Sequence, residues 1–92
     1  MIEELVWREY NIEKLREHGI SRSEVRDLMF AQDNYTVDRR PEYPDQVRIT
    51  GTTSTGRWLT IAMEELGGGR FRPVTGWNAT QAEREDHLEK SQ

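Results

Sequence analysis

Apolar residues recur at helical spacing near the start of the chain and alternate with polar residues in its second half. Ile12, Leu15 and Gly19 share one side of a 3.6-residue period, and charged residues occupy the other side. This pattern predicts an amphipathic helix from about Tyr10. Because glycine readily adopts the left-handed conformation in which many helices end, we expect Gly19 to terminate it.

Two further helix starts are indicated by capping boxes, in which a Ser or Thr and a Glu three positions later satisfy unpaired N–H groups. Ser21 with Glu24 predicts a second helix soon after the first, and Thr80 with Glu83 predicts a third. The third helix has only two clearly apolar residues. We therefore expect it to lie loosely on the sheet or to be completed by a partner.

Alternating apolar and polar residues predict three strands, at about 47–51, 57–63 and 70–77. Turn-forming residues separate them, including three consecutive glycines at 67–69, so the strands are expected to form an antiparallel meander. The short apolar segment Leu5–Trp7 is typical of a first strand or of the start of the first helix.

The segments outside the predicted helices and strands are expected to be irregular. Prolines and Asp/Asn residues predict a long, mobile loop over 33–46, and 89–92 is expected to be a disordered tail. A chain of 92 residues supports one core, so residues 1–92 form a single domain. The predicted class is α+β: a small antiparallel sheet, made of the three-stranded meander and a short N-terminal strand, with two N-terminal helices and one C-terminal helix on one face.

The amino-acid composition excludes several classes of protein and of binding site. The chain has no cysteine, which excludes disulfides and thiolate metal sites and favours a reducing, cytoplasmic setting. No apolar run approaches the roughly 20 residues of a membrane helix, so no membrane association is expected. The two histidines and scattered carboxylates form no metal-binding motif, and we expect neither a metal nor another cofactor. A net charge of −4 argues against strong non-specific binding to nucleic acid.

Basic residues are nevertheless concentrated in the middle of the chain. Residues 39–72 contain six arginines, the side chain best suited to bidentate contact with phosphate. If the hairpins pair suitably, Arg48, Arg57 and Arg72 converge on one face, but sequence does not fix the register. Ordinary solvated arginines are an equally good interpretation. Trp58 and Trp77 lie near the ends of the same strands. An exposed indole there would stack on an unpaired base, whereas a buried indole would fill the core.

The chain has two histidines, His18 and His87, the residue type best suited to donate or accept a proton near neutral pH. His18 ends the first predicted helix, where the helix dipole favours the imidazolium form and a proton donor could be held ready. The alternative is that His18 only caps the helix electrostatically. His87 is expected to be solvated on the terminal helix.

Three segments, taken in order, resemble the BrnT family of bacterial type II toxins, which have the fold of RelE-like ribonucleases. The match covers nearly the whole chain. The first segment follows the N-terminal Val6-Trp7 strand and comprises Glu17-His18-Gly19-Ile20-Ser21 with Glu24-Val25. The second comprises Arg48 to Gly51, Gly56-Arg57-Trp58-Leu59 and Ile61. The third comprises Arg72, Val74, Thr75, Gly76, Ala79, Thr80, Glu83 and Arg84.

The resemblance implies a toxin that blocks translation by cleaving RNA without a metal and is neutralised by a cognate antitoxin protein. The RNA would be messenger RNA, either free or at the ribosome. Arg57 and Arg72 would stabilise the charge of the phosphorane, Arg48 and Trp77 would bind and position RNA, and His18 would act as general acid or base.

The chain also departs from the family pattern. Trp77 occupies the position where the family commonly has a second arginine of the last strand, and family members are typically more basic. Loss of this cation would weaken cleavage, change its target or abolish it, whereas binding to an antitoxin would survive. The alternative function is therefore a non-catalytic protein-interaction module of the same fold.

Overall fold

The computed structural model describes residues 2–90, in which a five-stranded mixed sheet is covered by helices on both faces. The elements in chain order are β1 (Glu4–Leu5), α1 (Glu9–Glu17), α2 (Arg22–Arg26), a π-helical turn (Asp27–Ala31), β2 (Tyr35–Arg39), β3 (Gln46–Thr52), β4 (Trp58–Gly67), β5 (Arg70–Asn78) and α3 (Gln81–Lys90). None of the helices in this part of the chain is long and apolar enough to cross a membrane.

The strands lie in the order β1-β5-β4-β3-β2. Strands β2 to β5 form an antiparallel meander, and β1 adds to β5 in parallel through Glu4 opposite Arg70 and Leu5 opposite Phe71. The α+β class and the meander of β3, β4 and β5 are confirmed. The expected number of strands was too small, because β2 adds a strand to the meander.

Strand β2 lies within the predicted loop 33–46, so the loop prediction was wrong for residues 35–39. This strand lies at the edge of the sheet with Tyr35 and Val37 packed against the core, and Pro41 and Pro44 follow it rather than interrupt it. The predicted tail 89–92 was also wrong in part, because α3 extends to Lys90. Residues 91 and 92 lie outside the described residues.

The helical corner forms as its sequence predicts. Gly19 has a φ of 72° after α1, and Ser21 and Glu24 form both hydrogen bonds of the capping box that begins α2. The helix then widens into the π-helical turn, where the Gln32 N–H donates to the Asp27 carbonyl 2.9 Å away. A turn of this kind is rare and is frequently found at functional sites.

The core lies between α1, α2 and one face of the sheet. Gly76 allows the close approach of α1 to β5, because a Cβ at this position would lie 2.8 Å from the Ile61 Cδ1 atom and 3.1 Å from the Leu15 Cδ2 atom. The buried apolar cluster consists of Ile2, Leu15, Ile20, Val25, Leu28, Met29, Val47, Ile49, Leu59, Ile61, Met63 and Phe71.

Helix α3 packs on the opposite face of the sheet, against β2 and β3. The expectation that all three helices share one face was therefore wrong, and so was the expectation of a solvated His87. The His87 side chain is buried, its ring lies edge-on to Trp58 with centroids 5.4 Å apart, and its Nδ1 atom lies 3.3 Å from the Thr36 hydroxyl. This face of the sheet is rich in threonine, so α3 covers it with polar and aromatic contacts rather than aliphatic ones.

Candidate nucleic-acid interface

The sheet face opposite α1 carries the predicted RNA-binding residues. The register places Arg48 of β3 beside Ala62 of β4, and Ala62 beside Thr75 of β5. Trp77 lies two residues beyond Thr75, so its side chain points to the same face. We call the surface formed by Arg48, Glu64, Arg72, Thr75 and Trp77 the Arg48–Trp77 face.

Arg48 and Trp77 are in contact at the centre of this face. The Arg48 guanidinium carbon lies 5.4 Å from the centroid of the Trp77 ring, which is within the range of a cation–π interaction. No carboxylate among residues 2–90 forms an ion pair with Arg48. Its N–H donors are therefore available to an anion, while the indole holds the charged group in place.

Glu83 of α3 fixes the other side of Trp77. The indole Nε1–H donates to the Glu83 carboxylate at 3.1 Å, and the Thr80 N–H donates to the same carboxylate at 2.8 Å. Burial raises the pKa of Glu83, but the hydrogen bonds from Thr80, Trp77 and Thr60 outweigh burial and hold the pKa below its usual value. A charged Glu83 thus links α3 to the candidate interface.

Arg72 extends the face toward the other end of the sheet. Its Nη1 atom donates to the Glu64 carboxylate of the neighbouring strand at 2.7 Å, and the side chain is 18% exposed. The Nε atom is buried and has no hydrogen-bond partner among residues 2–90. A buried donor without an acceptor is costly, which is a feature of sites that receive a ligand oxygen.

Arg57 does not join this surface. It immediately precedes β4, and the β4 partner of Arg72 is Glu64, seven residues further along the chain. At about 3.4 Å per residue, this separates the two backbone positions by roughly 24 Å along the sheet. Arg57 and Arg72 therefore cannot stabilise the charge of one phosphate together.

Arg57 instead binds oxygen atoms from three parts of the protein. Its Nη1 atom donates to the Gly19 carbonyl at 2.7 Å and to the Glu24 carboxylate at 2.8 Å, and its Nη2 atom donates to the Asn78 side-chain oxygen at 3.2 Å. Burial raises the pKa of Glu24, but the Ser21 N–H and Arg57 outweigh burial and lower it. Most donors of Arg57 are committed to this junction, which ties the helical corner to β4 and β5.

His18 lies at the same junction, immediately after α1, and is exposed. Its backbone N–H donates to the Leu15 carbonyl at 3.0 Å, and its imidazole forms no hydrogen bond within residues 2–90. The predicted site residues thus form two groups: Arg48, Arg72 and Trp77 share one face, whereas His18 and Arg57 lie at the helical corner.

Glu64 and Glu83 belong to the interface but were not predicted as site residues. The sequence marks Glu83 as a capping residue and as part of the third segment of the resemblance, and no local pattern marks Glu64 as the partner of Arg72. Among the described residues, no group of three or more His, Asp or Glu side chains could hold a metal ion.

The sequence matches no protein-family model and no curated protein. The structure is similar to the 1.1 Å crystal structure of the Brucella abortus ribonuclease toxin BrnT. The TM-score is 0.65, and the match covers 85% of this chain and 97% of that chain at 12% sequence identity. The BrnT-like fold that the three sequence segments predict is thereby confirmed.

Proposed function

We propose that the protein is a BrnT-like toxin that cleaves RNA without a metal, inhibits translation and is neutralised by a cognate antitoxin. The proposal rests on one observation above all. In a fold shared with a ribonuclease toxin, Arg48 has no carboxylate partner among residues 2–90 and contacts Trp77 on a sheet face that also carries Arg72. Cation and aromatic groups in contact are the combination that binds phosphate and base of single-stranded RNA.

The residues on this face suggest a division of roles. Arg48 binds the phosphate, and the Trp77 ring stacks on an adjacent base. When the 2′-oxygen attacks phosphorus, Arg72 and Arg48 stabilise the charge of the phosphorane. Glu64, which lies beside Arg72, accepts the proton of the 2′-hydroxyl, and the departing 5′-oxygen takes a proton from water. Because His18 and Arg57 lie at the helical corner, we assign them to positioning of the fold.

A non-catalytic interaction module is the second candidate. One observation favours it: each arginine predicted to be catalytic is paired with a carboxylate, Arg57 with Glu24 and Arg72 with Glu64. RNA would have to compete with Glu64 for Arg72. A protein partner that leaves the ion pair between Arg72 and Glu64 intact would bind without this competition.

The test is cleavage of a structured RNA by the purified protein in the presence of a chelator. The Arg48→Ala/Trp77→Ala variant removes the proposed phosphate and base contacts, and a stacking contact alone is worth about 1–3 kcal/mol. We expect cleavage to fall by about 10- to 100-fold. The matched control is Tyr10→Ala/Arg16→Ala, which removes an exposed aromatic residue and an exposed arginine from α1. It should cleave at the wild-type rate.

The outcomes separate the two candidates. Equal cleavage by the wild type and by Arg48→Ala/Trp77→Ala would contradict the assigned site. No cleavage by any protein, together with no binding of short oligonucleotides, would favour the interaction module.

A further inference from the structure

A groove on the helical side of the protein is independent of the candidate interface. It has a volume of about 760 Å³ and lies between the residues after β1 and the segment formed by α2 and the π-helical turn. We call it the Trp7–Phe30 groove. It is lined by Trp7, Arg22, Ser23, Arg26, Asp27, Phe30 and Ala31.

The π-helical turn presents an aromatic side chain to this groove. Phe30 is 47% exposed, although it belongs to a segment whose Leu28 and Met29 are fully buried. The turn is anchored at its first residue, because the Ser54 N–H donates to the Asp27 carboxylate at 2.6 Å. Such turns often occur at functional sites, and this one holds an exposed phenyl ring beside Trp7.

Two cations border the aromatic groups. Arg22 and Arg26 are four residues apart in α2, so they lie on the same face of the helix. Neither forms an ion pair with a carboxylate in the described part of the chain. The acidic residues of this helical segment have other partners, Arg57 for Glu24 and Ser54 for Asp27. The cations are therefore available to an external anion.

We propose that the Trp7–Phe30 groove binds an acidic peptide segment of a protein partner. A large apolar side chain of the segment packs between Trp7 and Phe30, and flanking carboxylates pair with Arg22 and Arg26. Glu3 and Glu4 line the adjoining end of the groove beside Trp7 and Arg26. They repel a continuous polyanion such as RNA, whereas a peptide places its charges only where the cations lie. This proposal does not depend on ribonuclease activity.

The test uses two synthetic ten-residue peptides and NMR of the full chain. One peptide carries a Trp-Leu pair flanked by glutamates, and the other has glutamines in place of the glutamates. The three tryptophans of the protein give three indole N–H signals, and the Trp7→Phe variant identifies that of Trp7. We expect the acidic peptide to shift the Trp7 signal and leave the Trp77 signal in place. The glutamine peptide should bind about five- to tenfold more weakly.

Charge reversal provides the specific control. Arg22→Glu/Arg26→Glu should abolish the Trp7 shift, whereas Arg40→Glu/Lys90→Glu, which makes the same charge change on the opposite side, should keep it. Circular dichroism of each variant verifies the fold. Equal binding of the two peptides, or equal effects of the two double variants, would overturn the proposal. A Trp7 shift caused by an eight-nucleotide oligouridine and not by the acidic peptide would assign the groove to RNA instead.

Discussion

At the scale of single residues, the position of Arg57 in the sequence and its contacts in the folded protein indicate different roles. Its place in the sequence suggested stabilisation of a phosphorane, but its guanidinium joins Gly19, Glu24 and Asn78, which come from distant parts of the chain. An arginine committed to a carbonyl, a carboxylate and an amide has few donors left for substrate. Its contribution to activity is therefore expected to pass through the stability and geometry of the helical corner.

We predict that Arg57→Ala lowers the free energy of unfolding by about 1–3 kcal/mol, because it leaves the partly buried Glu24 carboxylate without its cation and removes two exposed hydrogen bonds, to Gly19 and Asn78. Chemical denaturation measured by circular dichroism tests this value. The control is Arg16→Ala, which removes an exposed pair with Glu13 and should cost at most about 1 kcal/mol. If Arg57→Ala abolished RNA cleavage without lowering stability, Arg57 would instead be assigned a catalytic role.

The sequence was sufficient for residues whose partners are local. Both capping boxes are present, because each partner is three residues away and backbone geometry brings them together. The pairing of Arg72 with Glu64 depends on the register of β4 and β5. Since that register includes bulges, no periodicity in the sequence could have located the pair.

At the scale of elements, α3 and β2 show what a prediction from apolar patterns leaves out. Helix α3 has an exposed Leu88 and docks through His87 and Arg84, which both contact Trp58. Strand β2 has the alternation of a half-buried strand, since Tyr35 and Val37 pack against the core and Thr36 faces His87, but the pattern is only five residues long. Apolar patterns predict contacts with an aliphatic core, whereas α3 depends on a threonine-rich sheet face that only the folded topology creates.

We predict that docking of α3 weakens in acid. The folded state holds the pKa of Glu83 below its usual value of 4.5, so this carboxylate stabilises the fold above that pH. The contribution is lost as the pH falls through the lower, folded-state pKa. Stability should therefore decrease below roughly pH 5, and the Trp77 indole N–H signal should shift as its acceptor is protonated.

Two variants distinguish this contact from a general effect of charge on α3. Glu83→Gln should move the Trp77 indole signal at pH 7 and make stability less dependent on pH, because the carboxylate that titrates is gone. Glu89→Gln makes the same charge change at an exposed position of α3 and should leave the Trp77 signal unchanged at pH 7. Identical spectra for the wild type and Glu83→Gln would contradict the proposed link.

At the scale of the whole molecule, the sheet separates two surfaces that could bind different partners. The Arg48–Trp77 face is on the side of α3, and the Trp7–Phe30 groove is on the side of α1 and α2. Each combines aromatic and cationic groups, and among the described residues Arg48 on the first surface and Arg22 and Arg26 at the second have no carboxylate partner. This arrangement explains how a chain with a net charge of −4 can offer two local sites for anions.

We predict that the two surfaces act independently, because the buried core lies between them and they share no residue. RNA cleavage should proceed at the same rate with and without the acidic peptide, at a peptide concentration that saturates the shift of the Trp7 signal. The glutamine peptide at the same concentration controls for non-specific effects of added peptide. Inhibition by the acidic peptide, with the Trp77 signal unmoved, would show that occupancy of the groove is transmitted through the core to the sheet. Inhibition accompanied by a shift of Trp77 would mean that the peptide also occupies the Arg48–Trp77 face, where its carboxylates compete with phosphate for Arg48.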